Sequence, residues 1–413
     1  MTETLQTGDL VRYASGGTAL TGTYITERDG MAVVKLDNGY NIGTSPEKIE
    51  LIERAAPQPP AGAGVVVQNP DLPELAIIST GGTIASRVDY RTGAVTSQFS
   101  ASDILRAIPE LGDIARYRDR QVASILSENM RPALWQELAR AVYDEIRHGV
   151  SGVIVTHGTD TMAYSAAAVR FMLKTPVPVV FVGSQRSADR PSSDNAMNAL
   201  CSAAVAAGDL GEVAVVMHAT TNDDRCAIHR ATRVRKMHTS RRDAFRSMGM
   251  APLGYVDYPS LSVTLSDVAV RRGTGEPELH DTLEERCALL NFYPGMPTAV
   301  LDAFEGYAGL VISGTGLGHV ATEWIPRLRD MIEDGTTVVM TSQCLHGRVC
   351  DRVYNTGRDL LAAGVIEGED MLPEAALVKL MWVLGHEKDP ERAGELMQTD
   401  LAGEIRRRST NEL

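Results

Sequence analysis

The sequence predicts an α/β protein in which a small N-terminal β-barrel precedes two α/β domains built on parallel sheets. Three observations carry this. About fifty residues at the start read as short β-rich segments separated by turn signals. A Pro/Gly/Ala tract follows, whose composition cannot bury a core. Beyond it, continuous Val/Ile/Leu runs alternate with helical stretches, the pattern of parallel strands buried on both faces.

Within the first segment, GDLVRY, LTGTYITE and MAVVKL have strand composition, and Asp29-Gly30 and Asn38-Gly39 are hairpin signals. The barrel is assigned to 1–55 and the linker to 56–74, with the tract AAPQPPAGAG (55–64) at their boundary. The larger α/β domain is expected over 75–255. Its buried strands are LAIIST, GVIVTHG, PVVFVGS and EVAVVMH, with helices over 131–148 and 160–174. Residues 256–290, broken by Pro259, Gly273, Gly275 and Pro277, read as a connection. The smaller C-terminal domain, 291–413, draws strands from TAVLDAFE, AGLVISGTG and TVVMTSQ and ends in a helical, charged tail.

The whole chain of 413 residues has 40 Lys and Arg against 53 Asp and Glu, a formal net charge of −13. That balance excludes coating of nucleic acid by bulk charge. No apolar run approaches the ~20 residues that span a bilayer. Five scattered cysteines and the absence of an export-type leader fit a reducing cytoplasm, so no membrane is expected.

Open parallel sheets place ligands at the carboxyl ends of their strands. Two such ends carry polar text: Thr80-Gly81-Gly82-Thr83-Ile84 and Thr156-His157-Gly158-Thr159-Asp160-Thr161. The glycines allow a tight turn that leaves the Thr83 hydroxyl at the sheet edge and aims backbone N–H groups at a developing oxyanion. A plain βα turn with a threonine N-cap is the alternative, and Asp160 alone equally suits a helix cap. The third element is Lys236. Lysines number six against 34 arginines, yet one stands among the arginines of RATRVRKMHTSRRDAFR. Lysine, unlike arginine, can be tuned into a base. Threonine, aspartate and lysine together make an activated hydroxyl suited to acyl transfer. The same basic run, with eight Lys and Arg over 225–246 against one Asp, has two other readings: a solvated face, or a surface that touches RNA phosphates. No nucleotide motif is present. Cys344, His346 and Cys350 make at most half a zinc site, so no metal is assigned.

TGGTI (80–84), SENM (127–130), HGTDTM (157–162) and VRKMHTSRRDAFRS (234–247) resemble the asparaginase/glutaminase family of threonine amidohydrolases. NFYPGM, SGTGLGH and ALVKLMWVLG extend the likeness to about 75–405. The barrel, GSQRSADRPSSDN and KMHTSRRDAFR, which free-standing asparaginases usually lack, are similar to the amidase subunits of archaeal-type glutamyl-tRNA(Gln) amidotransferases. The resemblance implies an SH3/Tudor-like barrel ahead of two domains of the type I/II asparaginase fold. It implies Thr83 as nucleophile, with Thr159, Asp160 and Lys236 as its partners. Ser127 and Glu128 would bind the α-carboxylate and α-amino group of the substrate, Gly82 would lie by the oxyanion, and Tyr90 would match a flap tyrosine. The amide donor would be glutamine or asparagine, and ammonia would pass to an E subunit that uses ATP and Mg to convert Glu-tRNA(Gln) to Gln-tRNA(Gln). Two copies of this chain would sit at the centre of a heterotetramer, meeting tRNA(Gln) mainly through that partner. No cofactor is implied in this chain. A free-standing L-asparaginase with an extra barrel, or a non-catalytic RNA-binding scaffold, are the alternatives.

Overall fold

The computed structural model describes residues 5–6, 8–15, 18–28, 30–36, 41–55, 68–81, 87–88, 95–96, 101–186 and 192–408. Strands Leu10–Ser15, Thr18–Arg28, Met31–Leu36 and Asn41–Thr44 form an antiparallel meander, and Ile49–Glu53 returns to pair with the first. Alternate residues point inward: Val11, Tyr24, Ala32 and Val34 are buried, with Ile42, Ile49 and Leu51 packed on them. Buried Asp9 ties the ends together, accepting from the backbone N–H groups of Gln6 and Ala55 and pairing with Arg54 at 2.8 Å.

The second unit is built on an eight-stranded sheet. Five strands are parallel: Arg116–Gln121, Glu74–Ser79, Gly152–Thr156, Val179–Val182 and Val213–His218, in that spatial order. Three more continue antiparallel: Arg225–Arg230, Gly254–Asp257 and Ser262–Leu265. Residues 262–265, expected in a connection, are thus the sheet's edge strand. The breakers around Pro259 make a turn, and the half-exposed SVTL between them pairs back on its neighbour.

Helix Pro132–Arg147 starts with proline at its first position, where the missing N–H costs nothing, and buries Trp135, Leu138, Ala139, Val142 and Ile146 at helical spacing. The Trp135 indole donates to Ser165 at 2.9 Å on Met162–Met172. That helix and Asn195–Ala207 are alanine-rich and buried nearly all round, so they lie inside the molecule.

The smaller sheet, Cys287–Asn291, Gly309–Gly314, Thr337–Ser342 and Ile366–Glu367, is fully parallel. TAVLDAFE does not supply one of its strands: Thr298–Phe304 is a 3-10 helix entered from Pro297, with only Leu301 buried. Proline at its entry and an apolar pattern spaced by three favour the helical turn over pairing. The tail is helical over Pro390–Met397 and then irregular through 408. One core joins the two α/β units: Val311 and Val339 on the inner face of the small sheet belong with the large-sheet cluster through helix Pro373–His386. Leu310, Ile312, Val338 and Met340 pack on the opposite face. Among the described residues no helix is long and apolar enough to cross a membrane.

Candidate active site

The carboxyl ends of Glu74–Ser79 and Gly152–Thr156 lie side by side because those strands are parallel neighbours in register, with Ser79 opposite Thr156. Thr80 bonds across the gap twice, its N–H and its hydroxyl both donating to the Thr156 carbonyl at 3.1 Å. The chain then turns through Gly81 at φ +114°, where a Cβ would lie 2.4 Å from the Ile125 carbonyl oxygen. Only glycine fits there. Gly82, Thr83 and Tyr90 fall outside the described residues.

The second elbow is equally tight. A Cβ on Gly158 would come 2.7 Å from Cβ of Ser127, which brings the SENM turn against the HGTDT segment. The Thr161 hydroxyl donates to the Ser127 carbonyl at 2.7 Å and locks the two together. Ser127 is buried, whereas Glu128 on the same 3-10 turn faces solvent. Asp160 is not the helix cap. The helix Met162–Met172 begins at Thr161, and the Asp160 carboxylate turns outward to accept from Lys236 Nζ at 2.6 Å. Lys236 Nζ also donates to the Thr159 hydroxyl at 2.9 Å. The lysine reaches them from strand Val234–Lys236, paired with Phe245–Ser247. Three of the four expected catalytic side chains therefore meet, although Thr159 and Lys236 are 77 positions apart.

His157, between the strand and this pair, is buried. Its Nδ1–H donates to the Gly158 carbonyl at 2.7 Å, while Nε2 has no partner among the described residues. Burial pulls its pKa to about 4 despite that hydrogen bond, so it is neutral at pH 7.

Asp194 was not singled out by sequence reasoning. It is fully buried and accepts from the Ser184 hydroxyl at 2.8 Å, from the N–H groups of Gln185 and Arg186 at 2.9 Å, and from Asn198 at 2.9 Å. It thereby shapes the loop after Val179–Val182, whose Gly183 packs so close to Thr159 that a Cβ would lie 2.8 Å from its methyl group. The available signal was an aspartate immediately before an alanine-rich helix.

The basic run is not a free cationic face. Arg230 forms a two-pronged pair with buried Glu212 at 2.8 and 3.0 Å. Arg233 pairs with Asp370, Arg235 with Glu374, and Arg242 with Asp223. Arg241 and Arg246 share Asp243. Arg225 lies over the Tyr255 ring, 4.6 Å from its centroid. Of the eight cations, seven form ion pairs within 4 Å; Arg225, which stands next to Asp224, forms none among the described residues. Among those residues, too, no group of three or more His, Cys, Asp or Glu is placed to hold a metal.

Comparison with known proteins agrees with this layout. Residues 74–268 match the N-terminal asparaginase family model, 286–397 the glutaminase/asparaginase C-terminal domain, and 5–53 the GatD N-terminal domain. The chain is 55% identical to the D subunit of the glutamyl-tRNA(Gln) amidotransferase of Methanosarcina acetivorans, over 96% of this chain and 97% of that one. It is 54% identical to the corresponding D subunit of Halobacterium salinarum, over 97% and 98%, and 54% identical to that of Archaeoglobus fulgidus, over 98% and 96%. Among solved structures, the thermostable L-asparaginase of Thermococcus kodakarensis superposes with a TM-score of 0.72 at 33% identity, covering 81% of this chain and 99% of that one. L-asparaginase I of Vibrio cholerae gives 0.69 at 27% identity, with 81% and 99% covered. With relatives this similar over almost its whole length and an asparaginase fold beneath a matching N-terminal module, the chain belongs to the family of glutamyl-tRNA(Gln) amidotransferase D subunits.

Proposed function

We propose that this chain releases ammonia from the side-chain amide of glutamine or asparagine through a threonine acyl-enzyme and delivers it to a partner subunit. The observation that carries the reading is the Thr159–Lys236–Asp160 contact, with Nζ 2.9 Å from the hydroxyl and 2.6 Å from the carboxylate. A hydroxyl held by an amine, itself held by a carboxylate, is the arrangement that makes an alcohol reactive at neutral pH.

In this reading the Thr83 oxygen attacks the amide carbonyl carbon. Its proton passes through the Thr159–Lys236 pair to the departing nitrogen, and the C–N bond breaks to leave an ester on Thr83. Water then attacks the ester, and glutamate or aspartate leaves with the threonine restored. N–H groups around Gly82 and Thr159 hold the oxyanion. Ser127 and Glu128 take the α-carboxylate and α-amino group; Ser127 lies against Gly158, two residues from Asp160, which supports that placement.

The relatives with which this chain shares over half its residues are named for transfer to glutamyl-tRNA(Gln). On that basis the ammonia goes to an E subunit that activates the glutamyl group with ATP and Mg, and this chain needs no cofactor of its own. Two copies sit at the centre of the assembly, in the cytoplasm. The free-standing asparaginase reading leaves the N-terminal module without a role. The RNA-scaffold reading is disfavoured by the paired state of the basic run.

The test is Thr83→Ala. Ammonia release from free glutamine or asparagine is expected to fall by several orders of magnitude, and glutamine-dependent formation of Gln-tRNA(Gln) with the co-purified partner to fall with it, while added ammonium restores the latter. Undiminished amide turnover in the variant would sink the proposal.

A further inference from the structure

Lys236 belongs to a two-strand ribbon beside the large sheet; Val234 and Phe245 seat that ribbon in the large-sheet core, and Ser247 and Arg246 bond to His229 and to the Ala219 carbonyl. The residues that precede the lysine make a second set of attachments. Arg233, fully buried, ends the 3-10 turn Ala231–Arg233 from which the ribbon starts. Its guanidinium donates to the Asp370 carbonyl and carboxylate, both at 2.9 Å, and to the Gly403 carbonyl at 3.3 Å. Thr232 adds a bond to the Ala402 carbonyl at 3.2 Å. Asp370 in turn accepts from the Arg406 N–H at 3.0 Å, so both of its oxygens are engaged. One residue before the lysine, Arg235 pairs at 3.3 Å with Glu374, in the first turn of helix Pro373–His386. Every one of these partners lies in the C-terminal α/β unit or its tail.

Resting on the amidase reading above, we infer that Arg233 and Arg235 are positioning residues, clamping the Lys236 ribbon to the 370–374 segment so that the smaller α/β unit sets the reach of the amine to Thr159. The geometry has the required leverage. Arg233 and Arg235 precede Lys236 by three and one residues, and the planar guanidinium of Arg233, held at two points on Asp370 and one on Gly403, fixes direction as well as distance. A displacement of about 1 Å at a reacting group is enough to cost on the order of a hundredfold in rate. A tether made only for stability would serve equally well from any other residue of the interface.

The test uses the full chain, measuring ammonia release from free asparagine and glutamine, with thermal melting alongside. Asp370→Asn keeps the shape and the backbone acceptor but removes one prong of the clamp. Arg235→Gln, at a partly exposed position, covers the case in which the buried variant fails to fold. Each is expected to lower kcat ten- to a hundredfold with KM changed less than threefold, because substrate contacts are untouched. Repeated in a Lys236→Ala background, each substitution should change the residual rate less than twofold, since a clamp acting through the lysine has nothing left to position. Equal losses with and without the lysine, or an unchanged kcat in both variants, overturn the inference. If Lys236→Ala alone leaves turnover intact, the amidase reading fails instead, and that outcome is recognised before any clamp variant is made.

Discussion

The Asp160 carboxylate and the Lys236 amine are 2.6 Å apart across 76 positions of chain, and the carboxylate makes that contact instead of capping the helix that begins beside it. A carboxylate that gives up its local N–H partners for a distant amine is spending its acceptor capacity on the site. Lys236→Arg tests this. Arginine keeps the positive charge but is a poor proton carrier, and its fork is too broad for a pocket fitted to a single nitrogen. Steady-state ammonia release should fall by about a hundredfold or more, the range that loss of a general acid–base group produces, with the melting temperature nearly unchanged.

Gly81→Ala should fail structurally. Its φ of +114° is closed to side chains, and the new methyl would press on the Ile125 backbone, which has no rotamer in which to escape. A loss of about 2 kcal/mol or more is expected in urea unfolding. Gly158→Ala meets the Ser127 side chain at 2.7 Å, and if Ser127 takes the α-carboxylate as proposed, the variant should raise KM.

Acid should unfold the protein through its buried imidazoles. Burial holds His157 near 4 and His229 near 3, both below the ordinary value of 6.5. Between those limits the unfolded chain binds protons that the folded one refuses. Stability is therefore fully present above about 6.5 and is lost as pH falls through 4, on the order of 3 kcal/mol for His157. Urea unfolding of His157→Gln across pH 4–7 should show a shallower slope than the parent; an identical slope would contradict the assignment.

Asp351 works in the opposite sense. Neither of its carboxylate oxygens has a partner among the described residues, and burial, followed by the neighbouring Glu367 carboxylate, raises its pKa to about 7. The folded state holds a proton that the unfolded state has released above 3.8. Stability thus falls as pH rises from about 4 through 7, by a few kcal/mol at full ionisation. Because this slope opposes that of the histidines, single variants rather than the parent curve separate them. Asp351→Asn should melt higher than the parent at pH 8 and about equally at pH 4.

Much of this was legible in the sequence because it is written in short-range patterns. Buried strands such as VVFV are apolar throughout, and helix Pro132–Arg147 shows both its starting proline and its apolar stripe. The misread segments are those in which tertiary context outweighed composition. TAVLDAF is as β-like as a real strand, yet it lies where a turn of 3-10 helix covers the small sheet. SVTL looked like loop because Pro259 stands just before it, in the turn that joins it to Gly254–Asp257. At the site, Thr159, Asp160 and Lys236 stood out by residue type and neighbourhood. Asp370 did not, since nothing near it in sequence foretells an arginine 137 positions upstream. Seven of the eight basic residues in the 225–246 run likewise looked unpaired only because their acids come mostly from elsewhere in the chain.

The bonds from Thr232 and Arg233 to the Ala402 and Gly403 carbonyls span 170 residues of chain. During synthesis, the ribosome completes the whole large sheet and the lysine-bearing ribbon long before it adds the backbone on which that ribbon leans. A polypeptide clipped before residue 402 would lack both of these bonds to the turn that leads into the Lys236 ribbon. If the proposed amidase reading holds, the lysine gains its full set of supports only once that late backbone has left the exit tunnel.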